Sequence, residues 1–194
     1  MAETHAGGRS RLPSGLHAAV RRHGVRPSRY LLTVSVTAQE MQLFEREPAQ
    51  IAGVPFPEYG FRRRYVISTS AWGVGQTMHS HCTPLGLHRI AQKIGGGTPI
   101  GTVFHHRQPI GLTWEGLHEA AIVHRILWLE GLEPGFNRGG EVDSFRRCIY
   151  LHGFGDETTL GRPTSHGCIH VAAKDLIPLY DRVPVGTLVW IAER

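Results

Sequence analysis

The stretch SHGCIH, residues 165 to 170, sets three side chains that bind protons or metals at every second position: His166, Cys168 and His170. Side chains alternate faces along a strand, so a strand here would project all three from one side. Sixteen positions before the thiol, the apolar stretch YLHGF carries His152 next to a glycine.

Two chemistries fit. A cysteine nucleophile needs a base within hydrogen-bond reach, a group that orients the base, and donors for an oxyanion. If YLH ends one strand and SHGC opens another in the same sheet, the loop of residues 153 to 164 lets His152 and Cys168 meet across neighbouring strands. Gly167 permits close approach of a substrate backbone, and the amides of residues 167 and 168 could face a developing negative charge. The alternative is metal binding, with HSHC (His79, His81, Cys82) as a second ligand group. Three same-face ligands on one strand suit tetrahedral zinc poorly, which disfavours that alternative.

Other residues near the motif have plainer readings beside functional ones. Tyr150 alternates with His152 and would share its face, as a pocket wall or as packing. His166 reads as a hydrogen-bonding loop residue. Cys148 lies in the apolar run CIYL and reads as core, and Cys82 as structural. Arg138, Arg146 and Arg147 could attract substrate carboxylates, although solvation is the default for surface charges.

The elements that must position these residues are mostly short strands. Leu32, Val34 and Val36 alternate with Thr33, Ser35 and Thr37, and a second run follows at Met41 to Phe44, which predicts a hairpin. Residues 62–70 form a further strand candidate, and LHRIAQKIGGGTPIGTVF reads as two strands around a glycine turn. EAAIVHRILWLEGL is a buried strand or a helix, with β-branched content tilting it to strand. The polar loop 133–145 is long enough for a binding loop or lid. After the SHGC segment, Leu176, Leu179, Tyr180 and Val183 keep helical spacing, with Asp175 as expected N-cap and Pro178 then in the first turn. TLVWI is a final strand. Residues 1–28 read as a loose basic arm, in which SGLHAAVRRHG could hold a short helix capped by Ser14.

Composition narrows the function classes. Hydrophobic residues are 41% and charged residues 19%, the balance of a globular domain. The net charge of +5 resides in residues 1–29, where six arginines face Glu3 alone; from Tyr30 onward 15 basic residues balance 15 acidic ones. Specific nucleic-acid binding is therefore not expected. Three cysteines are too few and too unevenly spaced for a disulfide scaffold. No apolar run reaches the roughly 20 residues that span a bilayer, and no export signal is visible at the N-terminus.

Taken together, the histidine-glycine, the short loop and SHGC before an aliphatic residue resemble the L,D-transpeptidase catalytic domain. The resemblance extends through RYLLTVSVTAQEMQLF, STSAWG, TPLGLHRI and DLIPLYDRVPVGTLVWI, covering roughly residues 29–192. It implies a mainly β, β-sandwich-like domain over residues 29–194, with one short helix after the catalytic strand. It also implies action on peptidoglycan stem peptides, as donor and acceptor, with no cofactor. Cys168 would attack the carbonyl of the third stem residue, release D-alanine, and pass the acyl group to an amine. His152 would be the base, oriented through the carbonyl of Gly153. Ser165, His166 and Gly167 would shape the loop and oxyanion site, and Tyr150, Ser165 and His170 would contact substrate.

The chain departs from the family at His170, where arginine or asparagine is usual, and at Phe154, where a small polar residue often follows His-Gly. The same acyl-enzyme could instead be resolved by water, which makes a carboxypeptidase or endopeptidase the alternative. An inactive or metal-binding peptidoglycan-binding module is the second alternative. The substrate class places the protein in the cell envelope; an upstream start, or cytosolic action on recycled stem peptides, would reconcile that with the missing export signal.

Overall fold

The computed structural model describes residues 12–48, 56–118 and 120–194. Ten strands form one sheet: β1 (Tyr30–Ser35), β2 (Glu40–Arg46), β3 (Tyr59–Ser68), β4 (Gly86–Ile94), β5 (Thr102–His105), β6 (Gln108–Leu112), β7 (Val123–Gly131), β8 (Tyr150–Gly153), β9 (Ile169–Val171) and β10 (Leu188–Ala192). Their order is β4-β10-β1-β2-β3-β9-β8-β7-β5-β6, and β4 also pairs with β7, so eight strands close into a ring that carries the β5–β6 hairpin outside it. The mainly β, sandwich-like domain expected from the sequence is thus hydrogen-bonded through both of its sides. Its core is built from inward residues such as Leu32, Val34, Leu43, Ile67, Ile90, Leu127, Leu151 and Ile169.

Within EAAIVHRILWLEGL, Val123–Gly131 forms strand β7, buried along nearly its whole length. That explains why its apolar run lacks the alternation of a half-exposed strand. Helix α2 (Ala173–Arg182) covers one side of the core through Leu176, Leu179 and Tyr180. Its N-cap is Ala172, not Asp175, so Pro178 lies well inside the helix rather than in its first turn. Proline forgoes the bond to the Lys174 carbonyl; Lys174 and Pro178 are both exposed, so water can serve that oxygen. Asp175 instead pairs with Arg63 at 2.5 Å.

The short helix expected in SGLHAAVRRHG is present as α1 (Ser14–Arg22), but it is packed on the domain rather than part of a loose arm. Pro13 rather than Ser14 occupies the N-cap position. Leu16, Ala19 and Val20 fall on one helical stripe and are buried against Leu31, Phe44, Phe56, Leu87, Leu132 and Leu188. The domain therefore begins before residue 29; residues 1–11 lie outside the described residues.

Strand β6 was not anticipated. It pairs with β5 across a two-residue turn, His106-Arg107, in which both residues have positive φ (49° and 69°). Such turns ordinarily announce themselves with Asn-Gly or Asp-Gly, and this one does not.

The loop 133–145 is no lid. Asn137, fully buried, accepts from the Glu133 amide and donates to the carbonyls of Leu85 and Leu87. Ser144, also buried, bonds Nε2 of His88 on β4. The loop is stitched to β4 from within.

Candidate active site

Strands β8 and β9 run parallel, with Leu151 opposite Ile169 and His152 opposite His170. Parallel pairing sets the two strands start beside start, so Cys168, just before β9, comes beside the beginning of β8, and the chain between the strands crosses over to return. A cleft of about 540 Å³ opens there, lined by His152, Phe154, Asp156, His166, Cys168 and His170, with Ala121 and Ile122 on its rim. Thiol and imidazole thus face the same cavity although sixteen positions separate them. A larger hollow of about 930 Å³, between α1 and the β2–β3 hairpin, has no cysteine in its lining.

His152 is buried, and its Nδ1 lies 2.7 Å from the Gly153 carbonyl. A carbonyl only accepts, so Nδ1 carries the proton and Nε2 keeps a lone pair. Burial pushes the imidazole down to about 4, against the opposing pull of that carbonyl. Gly153 is required by packing: a Cβ there would stand 2.5 Å from Cδ2 of His124 and 2.8 Å from the Val123 carbonyl. His124 takes that place because β7 bulges beside it, with positive φ and a register shift against β8.

Cys168 is half-buried, and its Sγ lies 3.4 Å from the Cys148 carbonyl, to which the thiol donates. Burial pushes the thiol up to about 12, although the Tyr150 amide donates to the sulfur and pulls the other way. The resting pair is therefore neutral thiol beside neutral imidazole.

The three alternating residues of SHGCIH do not share one strand face. Strand β9 is only Ile169–Val171, and His166 and Cys168 belong to the turn before it. The turn nevertheless delivers both to the cleft. Ser165 is 1% exposed; its hydroxyl donates to the Cys168 carbonyl at 2.6 Å and accepts from the Gly167 amide at 3.2 Å. Ser165 is thus the clasp of the turn and not a substrate contact, and the Gly167 amide is spent within the loop rather than offered to an oxyanion. Gly167 has φ +114°, and a Cβ on it would meet the Cys82 carbonyl at 3.1 Å.

Tyr150 packs behind the site instead of walling it. It is 4% exposed, stands edge-on to Trp128 and His152, and its hydroxyl accepts from Arg107 at 3.1 Å. His166 is exposed and packs its ring on Trp72 at 4.6 Å, with His81 edge-on at 5.7 Å. His170 stacks on Phe154 at 4.1 Å and meets His152 edge-on at 4.9 Å.

Arg147 has a role that its sequence context hides. Nη1 donates to the carbonyls of Gly75 and Gln76, and Nη2 to Ser80 Oγ and the Cys82 carbonyl. A guanidinium with five donors suits a turn-rich segment whose carbonyls lack ladder partners. It fixes the segment that lies against Gly167, and it does not line the cleft. Among the described residues, no three His, Cys, Asp or Glu side chains are grouped so as to hold a metal ion. The same residues include no helix long and apolar enough to cross a membrane.

Solved structures of similar fold include Bd1075 from Bdellovibrio bacteriovorus, with 17% identity and a TM-score of 0.55, over 86% of this chain and 49% of that one. L,D-transpeptidase 3 from Mycobacterium tuberculosis, in complex with a faropenem-derived adduct, matches with 16% identity and a TM-score of 0.47, over 85% of this chain and 60% of that one. The chain thus spans about half to three fifths of the length of these neighbours. A sequence search of curated proteins finds no match. The family model of the YkuD L,D-transpeptidase catalytic domain matches residues 29–191. The chain belongs to the YkuD family of L,D-transpeptidase catalytic domains.

Proposed function

We propose that this protein is a cysteine acyltransferase acting on peptidoglycan stem peptides, with Cys168 as nucleophile and His152 as general base. The observation that carries the reading is the shared cleft of the two side chains, with the His152 tautomer set by the Gly153 carbonyl.

Starting from neutral thiol and neutral imidazole, Sγ attacks the carbonyl carbon of the third stem residue as its proton passes to Nε2 of His152. The amide of Cys168 is the candidate donor to the resulting oxyanion, because the Gly167 amide is engaged by Ser165. Nε2 then returns the proton to the departing nitrogen of D-alanine, the C–N bond breaks, and a thioester remains. An amine from a second stem attacks the thioester and loses a proton to Nε2; the C–S bond then breaks, and Nε2 returns that proton to the sulfur as the thiol leaves. The Gly153 carbonyl stabilises the imidazolium that forms twice in this cycle. The substrate class places the reaction in the cell envelope.

The test is incubation with a disaccharide-tetrapeptide, followed by mass spectrometry of protein and products. A Cys168 adduct with cross-linked dimer is the expected result. An adduct with shortened monomer alone would assign water as the acceptor, and an unchanged product yield from Cys168→Ala would end the proposal.

A further inference from the structure

Trp72, His81 and His166 stand together on the surface beside the catalytic cleft, and all three are exposed, Trp72 to 53%. The Trp72 ring lies 4.6 Å from that of His166 and 5.6 Å from that of His81, and the two imidazoles meet edge to face at 5.7 Å. His166 also lines the cleft that holds Cys168 and His152, so the aromatic surface runs into its wall. A contiguous aromatic patch left open at the mouth of a cleft marks a contact surface. Among the described residues, arginine and lysine lie over Tyr30, Tyr65, Trp128 and Tyr180, and none lies over Trp72.

Backbone contacts hold the three rings in place. Ser70, 1% exposed, donates its hydroxyl to the His81 carbonyl at 2.6 Å and accepts from the Trp72 amide at 2.9 Å. The Ala71 amide donates to the Ser165 carbonyl at 3.0 Å, which ties Trp72 to the turn that carries His166 and Cys168. His79 and His81 both take positive φ, 62° and 58°, a region that side chains disfavour. That shape persists because Ser70 and Arg147 grip the segment from within, Arg147 through Ser80 Oγ and the Cys82 carbonyl. A platform fixed in this way binds without first having to order its own side chains.

We propose that this platform binds a sugar ring of the glycan to which the stem peptide is attached. The inference rests on the proposed function, since it places a second part of the same substrate. The C–H groups on one face of a pyranose carry slight positive charge and suit the negative face of an indole. Imidazole nitrogens at the edge can bond the hydroxyl and acetamido groups around that ring. Three stem residues separate the reacting carbonyl from the sugar, a span of roughly 10 Å when extended. A stem held at Cys168 therefore delivers its sugar to the rim of the cleft, and His166 joins Trp72 to that rim. Trp114, also exposed, sits over Gly101 and lines a separate hollow that neither Cys168 nor His166 lines.

Two donors with the same tetrapeptide provide the test, one carrying its disaccharide and one trimmed to the N-terminal lactoyl group, with D-alanine release and the Cys168 adduct as readouts. The wild-type protein is expected to use the disaccharide donor with a kcat/KM at least about five-fold higher, the size of one aromatic contact. Trp72→Ala should bring that ratio near one, whereas Trp114→Ala should leave it at the wild-type value. Should Trp72→Ala fail to fold, Trp72→Leu, which keeps apolar bulk without the ring, takes its place with the same expected result. A merely structural Trp72 would slow both donors alike and keep the ratio, which would overturn the inference. A wild-type ratio of one, or a ratio lost in Trp114→Ala instead, would also overturn it and leave the proposed function standing. No Cys168 adduct with either donor would remove the function reading, and the inference with it.

Discussion

Gly167 lies directly beneath Cys82: a Cβ on the glycine would sit 3.1 Å from the Cys82 carbonyl oxygen, and the glycine's φ of +114° is one that side chains rarely adopt. The residue before the nucleophile is therefore fixed by backbone shape and by its ceiling together. Gly167→Ala should keep the fold, because the strain is confined to one turn, and lose at least about ten-fold in acylation rate through displacement of Cys168. Circular dichroism and the rate of adduct formation measure the two effects. Full activity would show that the turn adapts.

The ceiling itself depends on Arg147, whose guanidinium reaches four oxygen atoms of the 75–82 segment. Arg147→Ala leaves those acceptors without their common donor, at a cost of about 1.5–3 kcal/mol by the usual range for hydrogen bonds to charged groups. Urea unfolding should show this loss, with acylation also slowed. Arg147→Lys should recover only part, because an ammonium cannot reproduce the planar fork. A variant as stable as wild type would mean the segment holds itself.

How far the sequence foretold this site follows from what kind of signal each residue leaves. Cys168, His152 and the closing elements sit in a short motif and in patterned apolar runs, both of which are local. The clasp formed by Ser165 is not local in that sense: a serine in a loop reads equally as a substrate contact, and only its burial shows that its hydroxyl is used up. Arg147 looks like a surface charge until the 75–82 carbonyls are seen to converge on it. The β5–β6 turn lacks its usual glycine, and although SGLHAAVRRHG reads as a short helix, its docking on the domain depends on distant partners such as Phe44 and Leu188 that no local pattern reveals.

Two buried histidines and a half-buried one make stability sensitive to acid. Burial pushes His88 and His152 down to about 4 and His170 to about 3. In the unfolded chain an imidazole takes its proton near pH 6.5, so below that value the unfolded state binds more protons than the folded one. The stability that neutral burial permits is therefore whole above about pH 6.5 and is lost as pH falls toward the folded values, with a slope of up to about 1.4 kcal/mol per pH unit for each histidine. The urea midpoint should fall steadily from pH 7 to pH 4.5. A midpoint constant across that window would contradict neutral burial.

The protonation state of the nucleophile can be read without any substrate. With the Cys168 thiol pushed up to about 12, its thiolate fraction at pH 7 is only about one in 10⁵, far below that of an ordinary thiol. Iodoacetamide should therefore alkylate Cys168 slowly at neutral pH, and the rate should climb about ten-fold per pH unit beyond pH 9 without a plateau, because only the thiolate reacts. Peptide mapping by mass spectrometry separates this site from Cys82 and Cys148. Acylation by a stem-peptide donor should show no such climb, since His152 removes the proton during attack; its acid limb should lie near pH 4, where the imidazole takes up a proton, and not near 6.5. Fast alkylation at pH 7 with an acid limb near 6.5 would instead mean a preformed thiolate–imidazolium pair, and the stepwise proton transfer drawn through Nε2 would have to be abandoned.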